Sequence, residues 1–132
     1  MKNNRIKLYA CAVVLSLSGG VFTGCSVGSK SLNAGKWHLS YDEQANGVDI
    51  EKGAKLIYDN VYASYKLSDK IVSSRDYTKR TISTEEIKDN FGEGFLYKVV
   101  YTNDNLPTLT QTFSVYPDKD YVLTEFTLTD KE

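Results

Sequence analysis

Cysteine and histidine are almost missing from this chain. Its 132 residues hold two cysteines, Cys11 and Cys25, and one histidine, His38. Both cysteines precede residue 26, so the remainder has no disulfide framework, thiolate nucleophile or Cys-based metal site. One histidine cannot build the usual N/S ligand set for zinc. No G-x-S-x-G elbow is present to strain a serine nucleophile. Neither a metal nor a cofactor is expected. Basic stripes are lacking too. Residues 1–24 hold three of the sixteen Lys and Arg and none of the seventeen Asp and Glu. That leaves thirteen basic against seventeen acidic residues over 25–132, a formal charge of −4. Nothing in that balance neutralises phosphates, so nucleic acid is not an expected partner.

Long apolar runs are scarce as well. A spanning helix needs about 20 mostly apolar residues. The one apolar stretch, residues 8–21, is shorter and is diluted by Ser16, Ser18, Gly19 and Gly20. Lys2, Arg5 and Lys7 precede it and Phe22-Thr23-Gly24-Cys25 follows. A charged start, a short apolar core and small residues before a cut form an export signal. The last four residues resemble the lipobox of bacterial lipoproteins, with Phe22 where leucine is usual. That resemblance implies cleavage after residue 24 and lipid attachment at Cys25. An uncleaved membrane anchor and an ordinary secretory signal are the alternatives. The expected location is therefore exported and lipid-anchored, at the outer membrane or the periplasmic face. Residues 25–35, small, polar and Gly-bearing, are expected to form a flexible tether.

What is present from residue 36 to 132 is mostly strand. Trp37-His38-Leu39-Ser40-Tyr41 alternates, and Val48-Asp49-Ile50 alternates again after a polar turn. Residues 55–66 are rich in Ile, Val and Tyr around Asp59-Asn60, which predicts two strands or one interrupted strand. Residues 95–102 carry apolar side chains on both faces, as inside a sandwich. Residues 108–116 place Leu109, Phe113 and Val115 together, and 121–129 place Val122, Phe126 and Leu128 together. Period-2 alternation with short turns predicts an antiparallel meander. Ser83-Thr84-Glu85-Glu86 matches a capping box, yet strand and loop fit the surrounding pattern better. Seven to nine strands and almost no helix predict an all-β fold, an antiparallel β-sandwich.

Candidate chemistry is thin. His38 is expected to be a half-exposed strand residue, and an enzyme built on it ranks last among the functions considered. Glu125 sits in an apolar strand and is expected to face outward. Nine tyrosines follow residue 24, namely Tyr41, Tyr58, Tyr62, Tyr65, Tyr77, Tyr97, Tyr101, Tyr116 and Tyr121. With Trp37 they could stack on sugar rings, but strands favour aromatics and most are expected in the core.

Four segments stand in a suggestive order: residues 76–81 (DYTKRT), 91–94 (FGEG), 106–113 (LPTLTQTF) and 115–121 (VYPDKDY). Together they resemble the N-terminal β-sandwich domain of melibiase-like α-galactosidases. The resemblance implies a sandwich preceding a (β/α)₈ barrel that carries two catalytic aspartates. It also implies an incomplete sandwich with an exposed edge strand near residues 121–129. The family's nucleophile motif is Lys-Trp-Asp. Lys36-Trp37-His38 lacks its carboxylate, so no catalytic residue carries over and substrate-binding residues stay unassigned. The expected function is the non-catalytic sandwich portion of an exported, lipid-anchored α-galactosidase-like hydrolase. Its partners would be the membrane, through Cys25, and an oligosaccharide or the absent barrel. The alternative is a complete small sandwich lipoprotein that binds a glycan or a partner protein.

Overall fold

Alternation governs the architecture. In the computed structural model, which describes residues 30–130, ten strands and one short 3₁₀ helix follow one another. The order is β1 (Ser31–Ala34), β2 (Trp37–Asp42), β3 (Gly47–Lys52), β4 (Lys55–Val61), β5 (Ser64–Leu67) and β6 (Lys70–Ser73). The 3₁₀ helix Ser74–Asp76 leads to β7 (Lys79–Asp89), β8 (Gly92–Asn103), β9 (Leu106–Val115) and β10 (Val122–Thr129). Every strand pairing is antiparallel. One sheet runs β1-β2-β3-β4 and the other β10-β9-β8-β7, with β5-β6 a separate hairpin.

The two large sheets face each other. Trp37, Leu39 and Tyr41 of β2 and Val48 and Ile50 of β3 point to one core, alternating with half-exposed residues. Tyr97, Val99 and Tyr101 of β8, with Leu109, Phe113 and Val115 of β9, supply the other side. Burying each such side chain removes it from water at about 1.5–3 kcal/mol. The Tyr41 and Tyr101 rings meet across the sandwich at 6.4 Å. The Tyr97 hydroxyl donates to the Lys30 carbonyl at 2.7 Å, tying β8 to the start of β1. This is the antiparallel β-sandwich that the alternation predicts.

One feature departs from expectation. The ordered fold begins before residue 36: β1 lies inside the 25–35 segment read as a tether and pairs residue for residue with β2. Leu32 and Ala34 are buried by that pairing, which is why a short polar stretch becomes a strand. Ser83–Glu86 lies within β7, held in eleven-residue register with β8, so the strand reading of that stretch stands and a capping box forms elsewhere. The box forms at Ser73, whose hydroxyl accepts from Arg75 while Asp76 accepts from the Ser73 amide. Residues 1–24 and Cys25, assigned to the signal and to lipid, lie outside the described residues. Among the described residues, no helix is long and apolar enough to cross a membrane.

The β5-β6 hairpin and the 3₁₀ turn close one end. Val72 and Ala63 enter the core, and the Tyr77 hydroxyl donates to the Pro107 carbonyl at 2.7 Å. Its one proton is thus committed, so Tyr65, 2.8 Å away, donates to Tyr77.

Candidate functional site: an acidic groove and an aromatic ladder on the same turns

The turns joining β7 to β8 and β9 to β10 lie side by side and build a groove. Its volume is about 590 Å³, and Glu86, Glu93, Gly94, Phe95, Pro117 and Asp118 line it. Register explains why these residues meet. Glu86 lies opposite Phe95, and Ile87 opposite Gly94, in the β7-β8 ladder. Phe95 in turn pairs with Val115, directly before the Tyr116-Pro117-Asp118 turn. Gly94 is required there for space. A Cβ on it would collide with the Val115 carbonyl and lie 2.7 Å from the Tyr116 ring, which packs against this position.

The same two turns also carry a ladder of three rings, packed on the Gly94 side of the sheet, away from the Glu93 and Phe95 side chains. Tyr116 is fully buried, with Phe91 at 6.1 Å on one side and Tyr121 at 6.3 Å on the other. The outer rings are open to solvent, Phe91 at 52% and Tyr121 at 40% exposure. The ladder is anchored by Asp89, which accepts from the Tyr116 hydroxyl at 2.5 Å and from the Phe91 amide at 2.8 Å. Burial, then the hydrogen bond to this carboxylate, pushes the Tyr116 hydroxyl far above its usual ionisation range. It remains a neutral donor at any ordinary pH.

The carboxylates differ in their neighbours. Glu93 pairs with Lys88 at 2.7 Å, which lowers its ionisation range. Asp118 pairs with Lys119 at 3.2 Å. Glu86 has no ion-pair partner among the described residues. Hydrogen-bond acceptors in a groove, with exposed aromatic rings on the same pair of turns, suit a ligand that is both polyhydroxylated and flat-faced. Among the described residues, no group of three or more His, Cys, Asp or Glu side chains is placed to hold a metal ion.

The residues singled out from sequence are dispersed. His38 lies on the outer face of β2, with Nδ1 2.7 Å from the Asn33 side-chain oxygen and Glu51 as its other cross-strand neighbour. Glu125 is exposed on the outer face of β10, as expected. Trp37 is a core residue whose indole donates to the Lys119 carbonyl at 3.0 Å. Tyr41, Tyr77, Tyr97, Tyr101 and Tyr116 are buried, whereas Tyr58, Tyr62 and Tyr121 are exposed. Tyr62 is already covered on one face by the Arg75 guanidinium, 3.9 Å from the ring centre. Sequence reasoning missed Phe91, Glu86, Glu93 and Asp118. A large aromatic inside the tight 89–92 turn was the signal available. No protein-family model, curated protein or solved structure matches the chain.

Proposed function

We propose that this chain is a non-catalytic carbohydrate-binding β-sandwich, the front module of an exported, lipid-anchored, α-galactosidase-like glycoside hydrolase system. The observation that carries the proposal is that one pair of turns holds both the groove lined by Glu86, Glu93 and Asp118 and the solvent-facing rings of Phe91 and Tyr121. Aromatic faces take the apolar face of a pyranose, and carboxylates accept from its hydroxyls. The Val115-Tyr116-Pro117-Asp118 segment, part of the resemblance to melibiase-like sandwich domains, supplies one wall of this groove and the central ring of the adjoining ladder. Export and the lipid on Cys25 place such a module where oligosaccharides arrive from outside the cell.

The test uses residues 26–132, which contain all ten strands. Titration with α-galactosyl oligosaccharides, followed by calorimetry, is expected to show saturable binding. Phe91→Ala and Tyr121→Ala, both at exposed positions, are expected to weaken it at least tenfold while leaving the fold intact. Hydrolysis of a nitrophenyl α-galactoside by the pure chain, or absence of binding across α-, β- and non-galactosyl oligosaccharides, would overturn the proposal.

A further inference from the structure

The two ends of the sandwich differ in what they carry. The groove and the ring ladder occupy one end, on the β7-β8 and β9-β10 turns. The opposite end is fixed by strand pairing. Ser31 lies opposite Ser40 near the close of β2, and Val48 at the start of β3 lies opposite Val61 at the close of β4. Lys79 at the start of β7 lies opposite Thr102 near the close of β8. Lys30 and Arg80 both pair with Glu43 of the β2-β3 turn, which joins the two sheets here. The chain therefore enters the fold at the end away from the groove.

That same end bears the β5-β6 hairpin. Its base is held: the Ala63 carbonyl accepts from the Ser74 amide at 2.8 Å, and Val72 enters the core. Its outer part covers nothing. Ile71 is 72% exposed, more than any other large apolar side chain among the described residues, and Leu67 is 42% exposed. Lys66 lies opposite Ile71 and Lys70 opposite Leu67, and Asp69 is the one acidic residue of Ser64–Ser73. At the foot of the hairpin Tyr62 is exposed beneath the Arg75 guanidinium. Apolar residues near the tip, lysines beside them and a tyrosine behind them match a membrane interface. Lysine stems lie along apolar surface with the ammonium in water, and tyrosine rings sit at headgroup level.

We propose that the β5-β6 hairpin docks on the surface of the lipid bilayer, with Leu67 and Ile71 in the interface and Lys66 and Lys70 among the headgroups. The inference rests on the lipid-anchored part of the function proposed above. Lys30 follows Cys25 by five residues, a reach of at most about 18 Å. Acyl chains on Cys25 thus hold the hairpin end of the sandwich, rather than the groove end, beside the bilayer. Apolar groups of interfacial segments sit about 5–10 Å deep, which residues next to the hairpin tip reach without burying either large sheet. Asp69 stays at headgroup level, flanked by the two lysines. The eleven residues of β7 span roughly 35 Å away from that surface. Docking of the hairpin therefore turns the groove outward, toward arriving sugar.

The test uses the full chain, processed in a bacterial host and reconstituted in vesicles of phosphatidylethanolamine and phosphatidylglycerol. Intact mass shows first whether Cys25 carries acyl chains. Processing removes Cys11 and acylation blocks Cys25, so an introduced cysteine is the sole free thiol. An environment-sensitive dye on Ile71→Cys is expected to shift its emission to the blue and to be quenched by nitroxide-labelled lipid. The same dye on Asn90→Cys, in the exposed β7-β8 turn, is expected to do neither. Leu67→Asp, added to the Ile71→Cys chain, is expected to abolish the shift with the melting temperature retained. An acylated chain whose dye at position 71 stays in water, or shifts no more than at position 90, would overturn the docking and leave the anchor standing. A shift that survives Leu67→Asp, or that comes without nitroxide quenching, would overturn it as well. A chain without acyl mass would overturn the anchor, and the docking with it.

Discussion

Two tyrosines on one strand, changed in the same way, should shift stability in opposite directions. Tyr97 and Tyr101 both sit on the core face of β8 and both have 0% exposure. Their hydroxyls differ. That of Tyr97 donates to the Lys30 carbonyl at 2.7 Å. Those of Tyr101 and its neighbour Tyr41 have no well-formed hydrogen-bond partner among the described residues, although each is near enough to influence the other's ionisation. Tyr97→Phe removes a made hydrogen bond. The Lys30 carbonyl still accepts from the Tyr41 amide at 3.0 Å, so it is not orphaned and the cost is about 1 kcal/mol. For a domain of this size that lowers Tm by roughly 4–8 °C. Tyr101→Phe removes a buried hydroxyl that contributes no such bond, and is expected to be neutral or stabilising by up to about 1 kcal/mol. Thermal unfolding by circular dichroism, with urea titrations to confirm an unchanged m-value, measures both. Equal destabilisation by the two variants would refute this account of the core, as would a Tyr97→Phe chain as stable as wild type.

Two further outcomes follow from the turn that closes the groove. Lys36 at 2.5 Å, then Lys52 at 3.0 Å, hold the Asp120 carboxyl down at about 2. A depressed carboxylate contributes its stability above its unfolded value, 3.8, and loses it as pH falls toward the folded value. Melting temperature should therefore fall between about pH 4 and pH 2 more steeply in wild type than in Asp120→Asn; identical slopes would show that the pair carries no linkage. Gly94→Ala would put a methyl group against the Val115 carbonyl and 2.7 Å from the Tyr116 ring. Overpacking of this kind costs about 1–3 kcal/mol, and the displaced ring should also weaken sugar binding in the same calorimetric titration; a variant with wild-type stability would show that Tyr116 does not pack on Gly94.

The strands that were legible in sequence are those with a long two-residue period. In β9, Leu109, Phe113 and Val115 alternate with Thr110, Thr112 and Ser114, and the burial pattern follows that alternation. Short strands carried too little of it. Ser31-Leu32-Asn33-Ala34 offers two small apolar residues, and its strand character comes from the partner β2. Lys70–Ser73 offers only Ile71 and Val72, of which Ile71 is 72% exposed. The groove was illegible for a different reason. Glu86, Glu93 and Asp118 each read as a solvated carboxylate, since they stand up to 32 positions apart in sequence. Only the β7-β8 and β8-β9 registers bring them to one end of the sheet. The edge position of 121–129 was expected from resemblance, whereas the placing of Phe126 on the core side of the sheet, opposite Gln111, needed the register.

One short segment serves both the groove and the ring ladder. Residues 116–121 supply one wall of the groove and two of the three rings. The other sheet holds this segment in place: Trp37 donates to the Lys119 carbonyl, and Lys36 and Lys52 clasp Asp120. Gly35, with φ 60°, brings the β1-β2 turn close enough that a Cβ would lie 2.9 Å from Pro117. These contacts join the entry of β2 to the exit of β9 across more than 80 residues. The Trp37 indole is buried, so its hydrogen bond is the member of the set that acid does not remove. The Asp120 pairs are exposed and titrate. Protonating Asp120 should therefore loosen the turn without unfolding the sandwich, and sugar affinity should fall at acidic pH before the core melts.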